Sequence, residues 1–123
     1  MNIIVYYAKK DFDTQKVLRF FKERRVKVQE IDIKKAPMTF NMLRNISNSI
    51  KPAGDIFDRE SMAFKESPAR FSGSDDLLLE SAARDNKMLR LPIARNGNAA
   101  AIGYQPEVFE RWIEKGGLTP PVK

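Results

Sequence analysis

The residues of this 123-residue chain that could carry chemistry gather at one turn, Asp11-Phe12-Asp13-Thr14, with Lys16 just behind it. Two carboxylates at i and i+2 could work as an acid/base pair. With no histidine beside them, the favoured reading is one helix cap and one solvated charge, since a carboxylate near a helix N-terminus is stabilised by about 0.3–1 kcal/mol. Thr14 could act as a nucleophile only with an adjacent base. None is visible, so a cap or first-turn residue is the favoured role. Further along, Arg59 could hold an anion or form a surface ion pair, and Lys16 and Arg90 are more often solvated than functional in such settings. Absences restrict the chemistry further. The chain has no cysteine and no histidine. That excludes disulfides, thiol catalysis and thiolate metal sites. It also removes the commonest metal ligand and general base, so no metal and no cofactor are expected.

The elements that must position these residues follow from patterning. Asn2–Ala8 is apolar nearly throughout, as a strand covered on both faces requires. Asp11–Thr14 supplies capping chemistry for a helix over Thr14–Arg25, with Val17, Leu18, Phe20 and Phe21 on its inner face and basic residues at its end. Val26–Ile33 reads as a second strand; Val26 and Val28 fall on one phase, Ile31 and Ile33 on the other, which suggests a bulge near Gln29-Glu30. So short a strand-helix-strand unit implies a right-handed crossover and parallel pairing. Thr39 is placed to cap a helix carrying Phe40, Leu43, Ile46 and Ile50, broken by Pro52-Ala53-Gly54. A short helix is expected around Ser61–Glu66. Another begins at Ser74, with Leu77, Leu78 and Ala82 inward. Pro92–Arg95, Asn96-Gly97 and Asn98–Ile102 form a hairpin signal with a type I′ turn. Gly103 serves backbone geometry. Pro106 opens a last helix with Val108, Phe109, Trp112 and Ile113 inward, ended by Gly116-Gly117. The aromatics Tyr6, Tyr7, Phe20, Phe21 and Trp112 are expected in the core.

The length fits one domain, taken as residues 1–117 with a loose tail over 118–123. The formal net charge is +6, but 22 basic residues are dispersed among 16 acidic ones, which favours a solvated basic surface over a nucleic-acid footprint. No stretch approaches the roughly 20 apolar residues of a membrane span. Met1–Tyr7 lacks the basic segment and cleavage site of a signal peptide. A cytoplasmic protein with no membrane contact is expected.

A family resemblance rests on order and spacing. Leu89-Arg90-Leu91-Pro92-Ile93, then Asn96-Gly97, then Ile102-Gly103-Tyr104, resembles the C-terminal motif of the arsenate reductase (ArsC/Spx-like) family, within the thioredoxin-like superfamily. Ile3–Tyr6 is similar to that family's first strand, Lys16 to the basic residue after its active-site turn, and Arg59 to an arginine after its inserted helix. The likeness covers about residues 1–113. It implies an α/β thioredoxin-like fold: a mixed sheet built from β-α-β plus a C-terminal β-hairpin and helix, with a helical insertion. It also implies a cis bond at Leu91-Pro92, against the active-site turn. The departures fall on the chemistry. The family's nucleophilic cysteine corresponds to Asp11, and the second cysteine of its Cys-x-x-Cys members to Thr14. The arginine before the proline corresponds to Leu91, and the arginine after the glycine to Tyr104, as in the transcription-regulator branch that binds RNA polymerase. Of the three arginines that hold the oxyanion in true reductases, only Arg59 remains. The resemblance therefore points to a non-catalytic member that binds a protein partner. The alternative is a reductase or transferase using an external thiol such as glutathione, and a small-anion binder around Arg59 is a third reading.

The missing thiolate, the species that attacks, sets the first expected outcome. Arsenate supplied with glutaredoxin or thioredoxin should be reduced no faster than in a protein-free control. Turnover well above that control would refute the non-catalytic assignment.

Overall fold

The computed structural model describes residues 2–50 and 56–115. The helix break at Pro52-Ala53-Gly54, the stop at Gly116-Gly117 and the 118–123 tail lie outside the described residues.

Strand β1 (Ile3–Tyr7) explains the layering. Successive strand side chains point to opposite faces, and both of its faces are apolar. Ile3 and Val5 join one buried cluster, while Ile4 and Tyr6 pack into the other. Each cluster needs its own helical cover. On the first face, α1 (Phe12–Glu23) supplies Val17, Phe20 and Phe21, and α5 (Pro106–Lys115) supplies Phe109, Trp112 and Ile113. Phe109 binds the two helices together, with ring centroids 5.4 Å from Phe20 and 4.9 Å from Phe21, a separation at which aromatic pairs gain beyond area burial. On the second face lie α2 (Phe40–Ser49), α3 (Met62–Glu66) and α4 (Asp75–Arg84), which contribute Leu43, Ile46, Phe64, Leu78, Leu79 and Ala82. The helical insertion is thus the layer that lets β1 be apolar on both sides.

The sheet has four strands in the order β2-β1-β3-β4, where β2 is Val28–Asp32, β3 is Ile93–Asn96 and β4 is Ala99–Ile102. β1 runs parallel to β2 and antiparallel to β3, and β3 pairs antiparallel with β4. This is the mixed sheet expected from the sequence. Capping follows expectation at α1, α2 and α4, where the side chains of Asp11, Thr39 and Ser74 each accept a backbone N–H in the first turn, and Ser61 does the same for α3, where no cap was expected.

Five expectations need correction. α1 begins at Phe12, not Thr14, because Asp11 alone is the cap. There is no bulge in β2, whose register with β1 runs unbroken from Ile3–Val28 to Tyr7–Asp32. The two apolar phases coexist because both faces are covered: Val26 and Val28 pack with the α1/α5 cluster, Ile31 and Ile33 with the other. Val26 itself precedes the strand and closes α1. Its N–H donates to Phe21 O at 2.9 Å while that of Arg25 donates to Lys22 O at 3.0 Å, the paired bonds of a Schellman end. Arg25 therefore takes φ 58, where glycine is the usual occupant. Leu77 faces solvent, 48% exposed, and Leu79 takes its place inward. The hairpin turn is one residue later than expected. Asn96 pairs with Ala99, so Gly97-Asn98 is the two-residue loop, with the positive φ (60) on Gly97, the first central position. Glycine there suits a type II′ turn rather than type I′.

One side chain ties the insertion together. The Asn86 amide oxygen accepts from Met38 N at 2.7 Å, and its nitrogen donates to Ala82 O at 2.8 Å and Met38 O at 3.2 Å. The loop before α2 is thereby fixed to the end of α4. An Asn86→Ala variant leaves these part-buried groups unpaired and should lose roughly 1–3 kcal/mol in urea unfolding. A loss below about 0.5 kcal/mol would show that solvent replaces the amide without cost.

Candidate functional site

The turn that joins β1 to α1 holds the sequence-marked residues at the carboxyl end of β1. Asp11 Oδ1 accepts from Thr14 N at 3.0 Å, so this carboxylate is engaged in holding the first turn of the helix. Its backbone carbonyl accepts from Gln15 N at 2.9 Å. The Gln15 side chain reaches back to Lys10 O at 2.8 Å. Lys10 is paired with Glu30 on β2 at 2.9 Å, and that hydrogen bond holds the ammonium above its ordinary pKa. Thr14 is 1% exposed, and its hydroxyl has no hydrogen-bond partner among the described residues. A buried, unpartnered hydroxyl with no base beside it is not an activated nucleophile.

Lys16 is the centre of a different arrangement. Its ammonium lies 4.4 Å from the Phe12 ring centroid and 5.6 Å from that of Tyr104, within the range of cation–π attraction. Phe12 is 71% exposed and Tyr104 38%. Tyr104 is held in place from the other side, its ring 6.4 Å from Phe20 and 6.3 Å from Phe109. Beside this trio opens a cleft of about 690 Å³, walled by Asp13, Lys16, Arg90, Gly103, Tyr104 and Gln105. The cleft brings three sequence-marked residues together: Asp13, Lys16 and Arg90. It carries two cations against one carboxylate.

Pro92 is buried, and the Leu91-Pro92 bond is cis. Its carbonyl accepts from Gly103 N at 2.8 Å, which pins the end of β4 near the start of β3. Gly103 turns the chain with φ 79 and delivers Tyr104 to the cleft. Arg59 does not line the cleft; its guanidinium lies 5.2 Å from the Phe64 ring, on the side of α3. Asp11, Thr14 and Pro92 do not line the cleft either. Among the described residues, no group of His, Asp and Glu is arranged to hold a metal ion.

Phe12 was not singled out from the sequence, yet it is a large apolar side chain left in water. The signal was there. At about 100° per residue, Phe12 lies roughly 140° and 180° around the helix from Val17 and Phe21. An aromatic between two carboxylates, opposite the apolar stripe, must face solvent.

Two substitutions separate capping from chemistry at this turn. Asp11→Ala should cost about 0.5–2 kcal/mol in denaturant unfolding, the usual loss for an N-cap. Thr14→Val keeps the shape and removes an unpaired buried hydroxyl, so stability should hold or rise by about 1 kcal/mol. A comparable loss at Thr14 would mean that its hydroxyl has a partner.

Comparison with known proteins gives the fold and no more. No protein-family model and no curated protein matches the sequence. Solved structures do match. An arsenate reductase from Vibrio cholerae superposes with a TM-score of 0.79 at 19% identity, over 90% of this chain and 97% of that one. An arsenate reductase (ArsC)-related protein from Brucella melitensis gives 0.65 at 16%, over 93% and 96%. A protein from Staphylococcus aureus gives 0.71 at 20%, over 91% and 96%. At such identities fold is shared while activity is not thereby established. The chain has the thioredoxin-like α/β fold of the ArsC-related structures, across nearly their whole length.

Proposed function

We propose that this chain is a cysteine-less relative of the arsenate reductases that acts by binding a protein partner, without catalysis. The carrying observation is the hydrogen bond from Thr14 N to Asp11 Oδ1, at 3.0 Å. The resemblance puts a thiolate at that position; here a carboxylate occupies it and is used as a helix cap. It cannot attack as a thiolate does, and its negative charge disfavours arsenate or phosphate close by. The surface beside it is dressed for contact instead. Phe12 and Tyr104 flank Lys16 on an exposed face, and aromatic residues are over-represented at interface cores. A regulatory role would follow from the identity of the partner.

A second reading draws on Lys16 and Arg90 sharing the cleft: an external-thiol reductase or transferase, with the carboxylates of glutathione held by those two cations. Calorimetric titration with glutathione distinguishes it, since saturable binding that is lost on Arg90→Gln would favour this reading over the first.

The partner-binding reading is tested by a paired capture experiment. A Phe12→Asp, Lys16→Glu variant alters only exposed or half-exposed side chains, so its unfolding free energy should stay within about 0.5 kcal/mol of wild type. A protein retained by the immobilised wild type, then identified and purified, should bind this variant at least roughly tenfold more weakly. Equal affinity for the two would sink the assignment of this surface, and specific retention of nothing would sink the proposal.

A further inference from the structure

A second cleft lies just beyond the ends of β1 and β2, and its chemistry differs. It has a volume of about 400 Å³, within the range of small-molecule sites. Ala8 and Ile33, the residues that follow β1 and β2, form one wall. Leu89 and Leu91, just before β3, form another, and Pro37 and Ala83 close the sides. The place is the crevice beyond the carboxyl ends of a parallel strand pair, where open α/β sheets bind ligands.

The rim is basic. Lys34, Arg84 and Lys87 line it against a single carboxylate, Asp85. The polar groups of the wall are already committed to the protein: Asp85 Oδ1 accepts from Lys87 N at 3.1 Å, and the Asn86 amide is spent on Met38 and Ala82. Among the described residues, the only salt bridge of a rim cation is that of Arg84 with Glu80, at 3.9 Å and largely exposed. The groups left to meet a ligand are thus an apolar floor and three cations.

We infer that this crevice binds a small organic carboxylate with an apolar body, its chain or ring on Ile33, Leu89 and Leu91 and its carboxylate among Lys34, Arg84 and Lys87. Apolar contact drives insertion, at about 25 cal/mol per Å² removed from water. The rim fixes the polarity, because charge-assisted hydrogen bonds from its exposed cations favour an anion over a neutral congener. The volume suits a short acyl chain or one aromatic ring and is too small for a folded peptide element. The site is separate from the Phe12-Lys16-Tyr104 face, so its failure would leave the partner-binding reading standing.

Sodium octanoate, kept below its aggregation concentration, is a suitable probe, with amide NMR shifts of isotope-labelled protein as the readout. Saturable shifts should centre on Ala8, Ile33, Ala83, Leu89 and Leu91. A Lys34→Gln, Lys87→Gln variant, altered only at exposed positions, should melt as wild type does and bind octanoate roughly tenfold more weakly. Octanol should bind both proteins alike, and more weakly than octanoate binds wild type. Absence of saturable shifts, shifts centred on Phe12 and Tyr104, equal octanoate affinity in the charge variant, or octanol binding as tight as octanoate would each overturn the inference.

Discussion

Strand β1 is apolar on both faces, and the rest of the molecule answers that constraint. A strand with one polar face needs one layer of helices, whereas Ile3, Ile4, Val5 and Tyr6 together need two. α1 and α5 cover one side, and the insertion carrying α2, α3 and α4 covers the other. The insertion is therefore a structural requirement of the strand, and Asn86 makes it rigid by bonding Met38 to the end of α4. With helices on both faces, the sites open to solvent are pushed to the carboxyl end of β1. Both clefts lie there: one is walled by residues of α1 and by Gly103 and Tyr104 after β4, the other by Ala8 and Ile33 after β1 and β2.

The two clefts differ because the loops that edge them do different work. On the α1 side, the chain must start a twelve-residue helix directly after the strand, and the four unpaired N–H groups of that start need an acceptor. Asp11 supplies it. A side chain fixed in that bond is unavailable as a base. Phe12, one residue on, is forced outward by the helical phase and becomes surface, held against Lys16 and Tyr104. On the α4 side, the cap is made by Asp85 and the loop is locked by Asn86, so the cations of that loop remain at the mouth of an apolar crevice.

Much of this was legible in the sequence, and the reasons differ by element. The caps at Asp11, Thr39 and Ser74 were readable because capping is local chemistry: a short acceptor side chain before an apolar period has few other uses. The parallel pairing of β1 with β2 and the β3–β4 hairpin were readable because a short β-α-β unit and a two-residue turn leave few alternatives. The errors came where tertiary burial decides between locally equal choices. Leu77 and Leu79 are both compatible with the apolar stripe of α4, and only the position of α2 and the sheet selects Leu79. The two phases of Val26–Ile33 suggest a bulge only if one face of β2 is wet. Asn96-Gly97 is a good local turn, but the pairing of Asn96 with Ala99 moves the loop to Gly97-Asn98.

The candidate site was legible in its negative half. Absence of cysteine and histidine is a fact of composition that no packing can repair, and it removes thiolate and imidazole chemistry whatever the fold. The positive half was not, because a surface is defined by which side chains converge from distant segments. Lys16 from α1, Arg90 from the segment before β3 and Tyr104 after β4 meet only once the sheet has formed. Arg59, equally basic and equally suggestive in the sequence, lies instead over Phe64. The same holds for the second crevice, whose walls come from the ends of β1 and β2 and from the α4–β3 connection. No window of sequence contains it. With a capping carboxylate at the turn after β1, the side chains that converge from distant segments are the chemistry this end of the sheet presents, and those surfaces are where partners and ligands should be sought.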